Sequence, residues 1–239
     1  MTNIIAIILA RGRSKSIPKK NIVDFCGKPL ISWTIEQAKN VKMISKVWVS
    51  SDDEQILSVA KQSGAQIIKR PKHLSTSRSS SVSGWMHAIN EIEKIDKKID
   101  IVIGLQATSP VRESADIVNG IKKFISSNCD SLFSASIIGD FFIWKKQKNR
   151  YRSINYNYHK RPRRQEFADQ YVENGSFYIF TPELIKKNIN QIGGKIEISL
   201  MEFWKSFEID EKSDLEFCEI IMKQYLLNKK NIKQVHKKH

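Results

Sequence analysis

Ile4-Ile-Ala-Ile-Ile-Leu-Ala10 is followed directly by the polar stretch Arg11-Gly-Arg-Ser-Lys-Ser-Ile-Pro-Lys-Lys-Asn21. An unbroken apolar run of this length is typical of a strand that is buried on both faces of a parallel sheet. The basic stretch predicts a loop at the carboxyl end of that strand. Open α/β sheets bind their ligands at that edge, so this junction indicates both the fold and the position of a site.

Apolar strands and amphipathic helices alternate through the first half of the chain. The predicted strands after Ile4–Ala10 are Lys46–Ser50, Gln66–Ile68, Asp100–Leu105 and Ser131–Ser136. The predicted helices are Pro29–Val41, a helix capped by Asp52 or Asp53 that ends near Gln62, Ser83–Ile95 and Ala115–Ile125. Repeated βα units cover a mostly parallel sheet with helices on both faces. The sequence therefore predicts an α/β fold, a three-layer α/β/α sandwich.

The alternation stops before Phe141–Asn157, where aromatic and charged side chains nearly alternate and predict a protruding β-hairpin. The elements predicted beyond it are a strand at Ser176–Phe180, a short helix opened by Pro182, a strand at Phe207–Ile209 and a helix at Ser213–Leu227. We expect one domain over residues 1–228, with residues 139–170 as an inserted β arm and residues 229–239 as a basic tail.

The composition narrows the class of protein. The 239 residues include 40 Lys and Arg against 25 Asp and Glu, which gives a formal charge of +15. The chain is long enough to bury a full hydrophobic core, and no apolar run approaches the ~18 residues that span a bilayer. The three cysteines lie far apart and in no metal-binding pattern, which favours a reduced, cytoplasmic protein.

The excess of basic residues suits either a nucleic acid or a smaller polyanion. Two basic clusters lie inside the predicted fold, at Arg11–Lys28 and Lys145–Arg164. Cations grouped within a folded domain favour a polyanionic small molecule at least as strongly as a polymer. In the first cluster, five cations crowd one loop and repel one another unless an anion binds. They are Arg11, Arg13, Lys15, Lys19 and Lys20.

The opening loop, Arg11–Asn21, fits neither of the common phosphate-binding patterns. It lacks the Gly-Lys-Ser/Thr of a P-loop, and Gly12 has no glycine partners for a dinucleotide fingerprint. Backbone amides and converging cations are nevertheless the donors that a triphosphate requires. The alternative is an ordinary basic surface loop.

Five stretches in a fixed order carry a family resemblance. The first is Leu9-Ala-Arg-Gly-x-Ser-Lys-x-Ile-Pro-x-Lys-Asn21. The others are Val49–Asp53, Arg70–Pro71 with Ser81–Gly84, Leu105–Arg112, and Glu173–Tyr178 with Glu208–Leu215. Together they resemble the acylneuraminate cytidylyltransferases, the CMP-sialic acid synthetase family, over roughly residues 3 to 225. Several motifs in one order are more specific than any motif alone.

This resemblance implies a fold like that of the nucleotide-diphospho-sugar transferases and a reaction of CTP with a nonulosonic acid, a nine-carbon, sialic-acid-like sugar. The implied products are the CMP-sugar and pyrophosphate, with Mg²⁺ as cofactor. The implied catalytic residues are Arg11 and Lys20. The implied nucleotide-binding residues are Ala10, Gly12, Ser14, Asn21, Arg70 and Ser83. The implied substrate-binding residues are Gln106, Thr108, Ser109, Arg164, Gln165, Tyr171 and Asn174, and the metal ligands are Glu208 and Asp210.

The metal site also has a physical argument of its own. Glu208-Ile-Asp210 has the spacing of a strand, in which residues i and i+2 point to one side. Mg²⁺ takes one or two carboxylates together with phosphate oxygens, so an acid pair beside a basic phosphate loop favours a metal. The alternative is an exposed strand in which Asp210 or Ser213 caps the next helix.

The resemblance further implies a homodimer through the 139–170 arm. Exposed Phe141, Phe142 and Trp144 would form a large apolar patch on a monomer. Trp144 and Val172 stand where some sialic acid enzymes carry basic residues. Legionaminic and pseudaminic acids are therefore candidate substrates beside N-acetylneuraminic acid, and neither a membrane nor a nucleic acid is expected as a partner.

Two other functions stay open at this point. The first is activation of an eight-carbon acid such as Kdo, although Thr108 stands where those enzymes usually carry Asp. The second is a non-catalytic nucleic-acid-binding protein, which would bind polymers with a steep salt dependence.

Overall fold

A computed structural model describes residues 2–96, 98–139, 141–166 and 169–228, so the predicted basic tail 229–239 lies outside the described residues. In chain order the strands are β1 (Ile4–Leu9), β2 (Asp24–Phe25), β3 (Lys28–Pro29), β4 (Lys46–Ser51), β5 (Gln66–Lys69), β6 (Ile101–Gln106), β7 (Ser131–Ile137), β8 (Trp144–Gln147), β9 (Arg150–Ser153), β10 (Tyr171–Phe180) and β11 (Ile196–Leu200). The helices are α1 (Leu30–Lys39), α2 (Glu54–Gln62), α3 (Ser81–Glu93), α4 (Ser114–Ser127), α5 (Pro182–Asn188) and α6 (Lys212–Ile221), which a π-helical segment extends over Met222–Leu227.

The central sheet has seven strands in the order β11-β7-β10-β6-β1-β4-β5. Strand β10 runs antiparallel to both of its neighbours, β6 and β7. The other neighbouring pairs in this sheet are parallel. The predicted mostly parallel sheet is therefore confirmed, with β1 near its centre.

The apolar run of β1 serves both faces of this sheet because successive strand residues point to opposite sides. Ile4 and Ile8 pack in a core with α1, α2 and α4. Ile5 and Ile7 pack on the other face with Trp85 of α3 and with α5. These two buried layers confirm the three-layer α/β/α sandwich.

A third buried cluster joins the opening loop to the end of the chain. Ile17 of the loop packs with Ile209 and with Cys218 and Ile221 of α6. Burying side chains of this size stabilises the contact by about 1.5–3 kcal/mol each. The cluster thus holds two segments side by side that are almost 200 residues apart in sequence.

Most predicted elements are confirmed with ends shifted by a few residues. The Asp53 side chain caps α2, because it accepts hydrogen bonds from the amides of Gln55 at 2.8 Å and Ile56 at 3.1 Å. The strand predicted at Phe207–Ile209 is wrong. The backbone of that segment pairs with no strand, since its one backbone–backbone hydrogen bond in the described structure runs from the amide of Ile209 to the carbonyl of Thr108. Strand β11 pairs with β7 at one edge of the central sheet.

The inserted arm contains the predicted hairpin. Strands β8 and β9 pair with each other in a sheet separate from the central one. Phe141, Trp144 and Tyr151 are exposed on this arm. None of the described helices has the length and apolar character required to cross a lipid bilayer.

Candidate active site

A cleft of about 290 Å³ opens where β1 and β6 end. Its wall comes from the opening loop, the segment after β5, the loop after β6 and the stretch just before α6. The predicted residues on this wall are Arg11, Ser14, Lys20, Asn21, Arg70, Gln106, Thr108, Glu208 and Asp210. The structure therefore brings the basic loop and the acid pair to one cavity.

Lys20 connects the opening loop to the acid pair. Its ammonium group donates hydrogen bonds to the carbonyl of Ile209 and to Oδ1 of Asp210, both at 2.8 Å. The Ser16 hydroxyl donates to the carbonyl of Asp210. Lys19, just before Lys20, has a left-handed backbone with φ of 52°, which turns the chain into the short 3₁₀ turn that carries Lys20. These contacts fix the ammonium at the cavity wall.

Arg11 lies at the opposite side of the opening loop and remains exposed. Its guanidinium donates to the carbonyl of Thr76 at 3.4 Å, and Asn21 Nδ2 donates to the Arg11 carbonyl at 2.9 Å. Asn21 thus holds the loop closed behind Arg11. Gly12 has no space for a side chain, because a Cβ there would lie 2.7 Å from the Cβ of Asp53. Ala10 is buried beneath the wall rather than on it.

Arg70 is a buried cation at the cavity. Its Nε donates to the Ser75 hydroxyl at 2.9 Å, and α3 approaches so closely that a Cβ on Gly84 would lie 2.8 Å from Nη1. Burial lowers the pKa of Arg70, and the positive charge of Arg11 lowers it further, while Asp52 opposes the shift. Two guanidinium groups that repel each other at one cavity favour an anion as the ligand.

Ser83 does not reach this cavity. Its hydroxyl donates to the carbonyl of Ser80 at 2.8 Å, within the first turn of α3. The neighbouring Ser80 and Ser81 lie on the wall instead. The role of Ser83 at the nucleotide therefore stays a prediction, and the serines that begin the helix are further candidates.

Glu208 and Asp210 form an acid pair that suits a cation. The pKa of Glu208 is raised by burial and then by the charge of Asp210, while the Ser109 hydroxyl, Lys20 and Arg112 act to lower it. The described residues contain no group of three or more His, Cys, Asp or Glu side chains that could hold a metal alone. A pair of carboxylates is, however, what Mg²⁺ uses when phosphate oxygens complete its coordination, so the donor set fits Mg²⁺.

Gly175 allows β10 to pass against Glu208. Its φ of +65° lies in the left-handed region, and a Cβ at this position would overlap Oε1 of Glu208. The β-bulge of β10 falls between Glu173 and Tyr178. The Asn-Gly sequence therefore serves a close backbone approach to the acid pair, as glycine commonly does at such positions.

The predicted sugar-binding residues separate into two groups. Gln106 and Thr108 line the cavity, and Ser109 is buried beside Glu208 and does not line it. Tyr171 is 47% exposed, and Tyr171 and Gln165 are absent from the residues that line the cavity. Arg164 begins a 3₁₀ turn at Arg164–Glu166, and its side chain lies outside the described part of the structure.

Asn174 is buried, and its side-chain amide is hydrogen-bonded to other groups of the protein. Oδ1 accepts from the Ser134 hydroxyl at 2.6 Å and from the Ser176 amide at 3.2 Å. Nδ2 donates to the Ser136 hydroxyl at 3.4 Å. The structure therefore places Asn174 in the β10 bulge, where its amide is hydrogen-bonded within the protein, and its contact with the substrate stays a prediction.

Several wall residues were not among the predicted site residues. They are Leu9, Arg13, Leu74, Ser75, Thr76, Ser79, Ser80, Ser81, Trp85, Leu105 and Ala107. The serine-rich run before α3 was a usable signal, because serines grouped at a helix start offer hydroxyl and amide donors. Trp85 follows the apolar stripe of α3, which is the pattern of a core residue and gives no indication of a cavity.

Arg112 supports the cavity wall from the interior of the protein. Its buried guanidinium donates to the carbonyl of Gln106 at 2.7 Å, to the Thr34 hydroxyl at 2.8 Å and to the Ser176 hydroxyl at 2.9 Å. It thereby connects the loop after β6 to the β10 bulge and to α1. Burial lowers the pKa of Arg112, and its bonded acceptors offset the cost of burying this charge.

Replacing Glu208 by glutamine is expected to stabilise the protein without nucleotide at neutral pH. A carboxyl whose pKa is raised in the folded state favours folding when protonated, and this contribution is lost as the pH rises through the folded pKa. The gain in Tm for Glu208→Gln should therefore be small near pH 4 and largest at about pH 8. Thermal unfolding at both pH values measures it, and a lower Tm than wild type at the higher pH would contradict the assignment.

Comparison with known proteins identifies relatives that match most of this chain. The chain is 36% identical over 221 residues to N-acylneuraminate cytidylyltransferase A of Danio rerio, and this alignment covers 91% of this chain and 50% of that protein. It is 34% identical over 226 residues to the pseudaminic acid cytidylyltransferase of Campylobacter jejuni, and this alignment covers 92% of this chain and 96% of that protein. The chain thus spans about half the length of the fish relative.

Solved structures share the fold at low identity. A CMP:2-keto-3-deoxy-manno-octonic acid synthetase complexed with CTP aligns with a TM-score of 0.73 and 19% identity, over 94% of this chain and 100% of that one. A 4-diphosphocytidyl-2C-methyl-D-erythritol synthase aligns with a TM-score of 0.70 and 10% identity, over 93% and 99%. The family model for cytidylyltransferases matches residues 5–234, which include the whole cavity wall. The chain therefore belongs to the cytidylyltransferase family.

Proposed function

We propose that the protein transfers CMP from CTP to a nonulosonic acid and releases pyrophosphate. One observation carries this proposal: Lys20 of the opening loop lies 2.8 Å from Asp210, in a cavity that also contains Arg11, Arg70 and Glu208. Cations that converge beside an acid pair suit a nucleoside triphosphate with a divalent metal. The relatives are named for N-acylneuraminate and pseudaminic acid, which supports an acid sugar as the acceptor.

The chemical step needs alignment and charge neutralisation rather than a nucleophilic side chain. The anomeric hydroxyl of the sugar attacks the α-phosphorus of CTP, and the bond between the α-phosphorus and its bridging oxygen to the β-phosphate breaks. The proton of the attacking hydroxyl passes to solvent as the new oxygen–phosphorus bond forms. Negative charge grows on the departing pyrophosphate. Arg11 and Lys20 stabilise that charge, because both are fixed at the wall by carbonyl groups before the reaction begins.

Glu208 and Asp210 are the residues that would hold Mg²⁺. When bound, Mg²⁺ supplies positive charge that the phosphate oxygens share. Lys20 donates to Asp210 and so fixes the direction of that carboxylate. The glycine backbone at position 175 confines Glu208 on one side.

Gln106 and Thr108 are proposed to contact the sugar, since both lie on the cavity wall at the end of β6. Thr108 also disfavours the eight-carbon alternative, whose enzymes usually carry Asp there. Candidate acceptors are N-acetylneuraminic, legionaminic and pseudaminic acids. The family match and the acid pair at the cavity favour this activity over a non-catalytic nucleic-acid-binding protein.

A panel of acceptors tests the proposed reaction. The protein is incubated with CTP, Mg²⁺ and each of the three nine-carbon acids or Kdo, and products are identified by mass spectrometry. We expect a CMP-sugar from at least one nine-carbon acid, together with one equivalent of pyrophosphate. Product from Kdo alone would establish the eight-carbon alternative, and the absence of product from all four acids would reject the proposal.

We further propose that the 139–170 arm forms a homodimer, because Phe141 and Trp144 are exposed on it at 57% and 44%. Phe141→Ser with Trp144→Ser should shift the protein from dimer to monomer in sedimentation velocity. Ile95→Ser is the matched control, since Ile95 is 73% exposed at the end of α3. A wild-type protein that sediments as a monomer would contradict the proposal.

A further inference from the structure

A second cleft, of about 1180 Å³, adjoins the candidate active site. The two share a wall formed by Arg11, Arg13 and Ser14 of the opening loop and by Ser75 and Thr76, but Glu208 and Asp210 line only the first. The remaining lining residues of the second cleft come from the opening loop, the start of α2 and the segment after β5. The opening loop therefore separates two adjacent spaces and contributes cations to both.

The second cleft is strongly basic. Its cations are Arg11, Arg13, Lys15, Lys19, Lys69 and Lys72. Lys15 and Lys72 make no ion pair with any residue that the structure describes. Cations held this close together on one surface create a positive potential that attracts polyanions.

The acids of this cleft are already engaged locally. Asp52 accepts a hydrogen bond from the Gly12 amide at 2.9 Å, and Asp53 caps α2. Glu54 forms an ion pair with Lys69 at 2.5 Å. These carboxylates hold the opening loop and the helix in place, and they leave Arg13, Lys15 and Lys72 for a ligand.

We propose that this cleft is a second anion site, which binds inorganic pyrophosphate and receives it as it leaves the active site. This inference rests on the proposed function, because the reaction proposed there is the source of the pyrophosphate. The leaving group forms next to Arg11, and Arg11 is also part of the second cleft. A product with several negative charges can thus pass along the opening loop from one set of cations to the next.

Titration calorimetry tests this site at equilibrium. Pyrophosphate is titrated into protein saturated with CTP and Mg²⁺ but given no sugar acid, so that the first cavity is filled and no turnover occurs. We expect one pyrophosphate to bind the CTP-saturated protein. Lys15→Glu with Lys72→Glu should weaken this binding roughly tenfold or more, measured at a CTP concentration that saturates the variant as well as the wild type.

The matched control is Lys42→Glu with Lys122→Glu, which changes the net charge equally at exposed positions outside the cleft. Pyrophosphate that fails to bind the CTP-saturated protein would overturn the inference, as would an equal loss in the control. If CTP itself does not bind, the proposed function fails separately. Pyrophosphate is then titrated into the nucleotide-free protein, and unchanged binding by Lys15→Glu with Lys72→Glu would still reject the cleft.

Discussion

Replacing Lys20 by methionine is expected to lower kcat/KM for CMP-sugar formation about 10²–10³-fold, the size of effect seen when one preorganised donor to a developing charge is removed. Methionine keeps the unbranched chain and deletes the positive charge. The ammonium is held by the Ile209 carbonyl and by Asp210, so it needs no reorganisation when charge develops on the pyrophosphate. Release of pyrophosphate at varied CTP and a fixed sugar acid measures the effect.

Lys46→Met is the matched control for this substitution. Lys46 makes an ion pair of the same kind, 2.6 Å from Asp96, but it lies at the amino end of β4 and therefore at the opposite edge of the sheet. An exposed ion pair contributes about 0–1 kcal/mol, so this variant should retain near wild-type activity. Equal losses in the two variants would show that Lys20 acts only on stability.

Glu208→Gln is expected to lower kcat about 10²-fold or more and to raise the Mg²⁺ concentration that half-maximal activity requires. The amide keeps the shape of the carboxylate but removes the charge that a divalent cation needs. The variant should also unfold at a higher temperature than wild type at neutral pH, because the raised pKa of Glu208 indicates that its charge opposes folding. A more stable but inactive protein separates a role in the reaction from a role in the fold.

Glu216→Gln provides the comparison, since Glu216 is an exposed residue of α6. It should change neither the activity nor its Mg²⁺ dependence. Full activity of Glu208→Gln at limiting Mg²⁺ would remove Glu208 from the proposed metal site.

The fold was predictable because the apolar runs of the strands and the amphipathic patterns of the helices both indicate the same layered sheet. The apolar residues of β1 supply both faces of the sheet, as their uninterrupted run predicts. The hairpin at Phe141–Asn157 was visible in its alternation. The prediction of a strand at Phe207–Ile209 was wrong because Ile209 is buried against the cluster that contains Ile17 and Ile221 rather than against a neighbouring strand.

The meeting of distant charged residues at one cavity was predictable from the motifs to which they belong. Lys20 and Asp210 meet, although 190 residues separate them, and the order of the family motifs was the signal for this contact. The internal hydrogen bonds of Asn174 could not be predicted, because the residues that bond its amide, such as Ser134, lie on another strand. The hydrogen bond of Ser83 within the first turn of α3 was likewise not visible in the sequence.

The central claim is that the basic loop and the acid pair act on the same bound nucleotide. Arg11 and Glu208 line one cavity but contact different groups, Arg11 the Thr76 carbonyl and Glu208 the backbone at Gly175, so we expect a bound CTP to be the group that couples them. The direct measurement is the dissociation constant of CTP with Mg²⁺ for wild type, Arg11→Met, Glu208→Gln and the double variant. The account predicts that the double variant loses less affinity than the product of the single losses, by about fivefold or more, as for residues that act as a unit. Losses that simply multiply would show that the two residues act independently, and would contradict the claim.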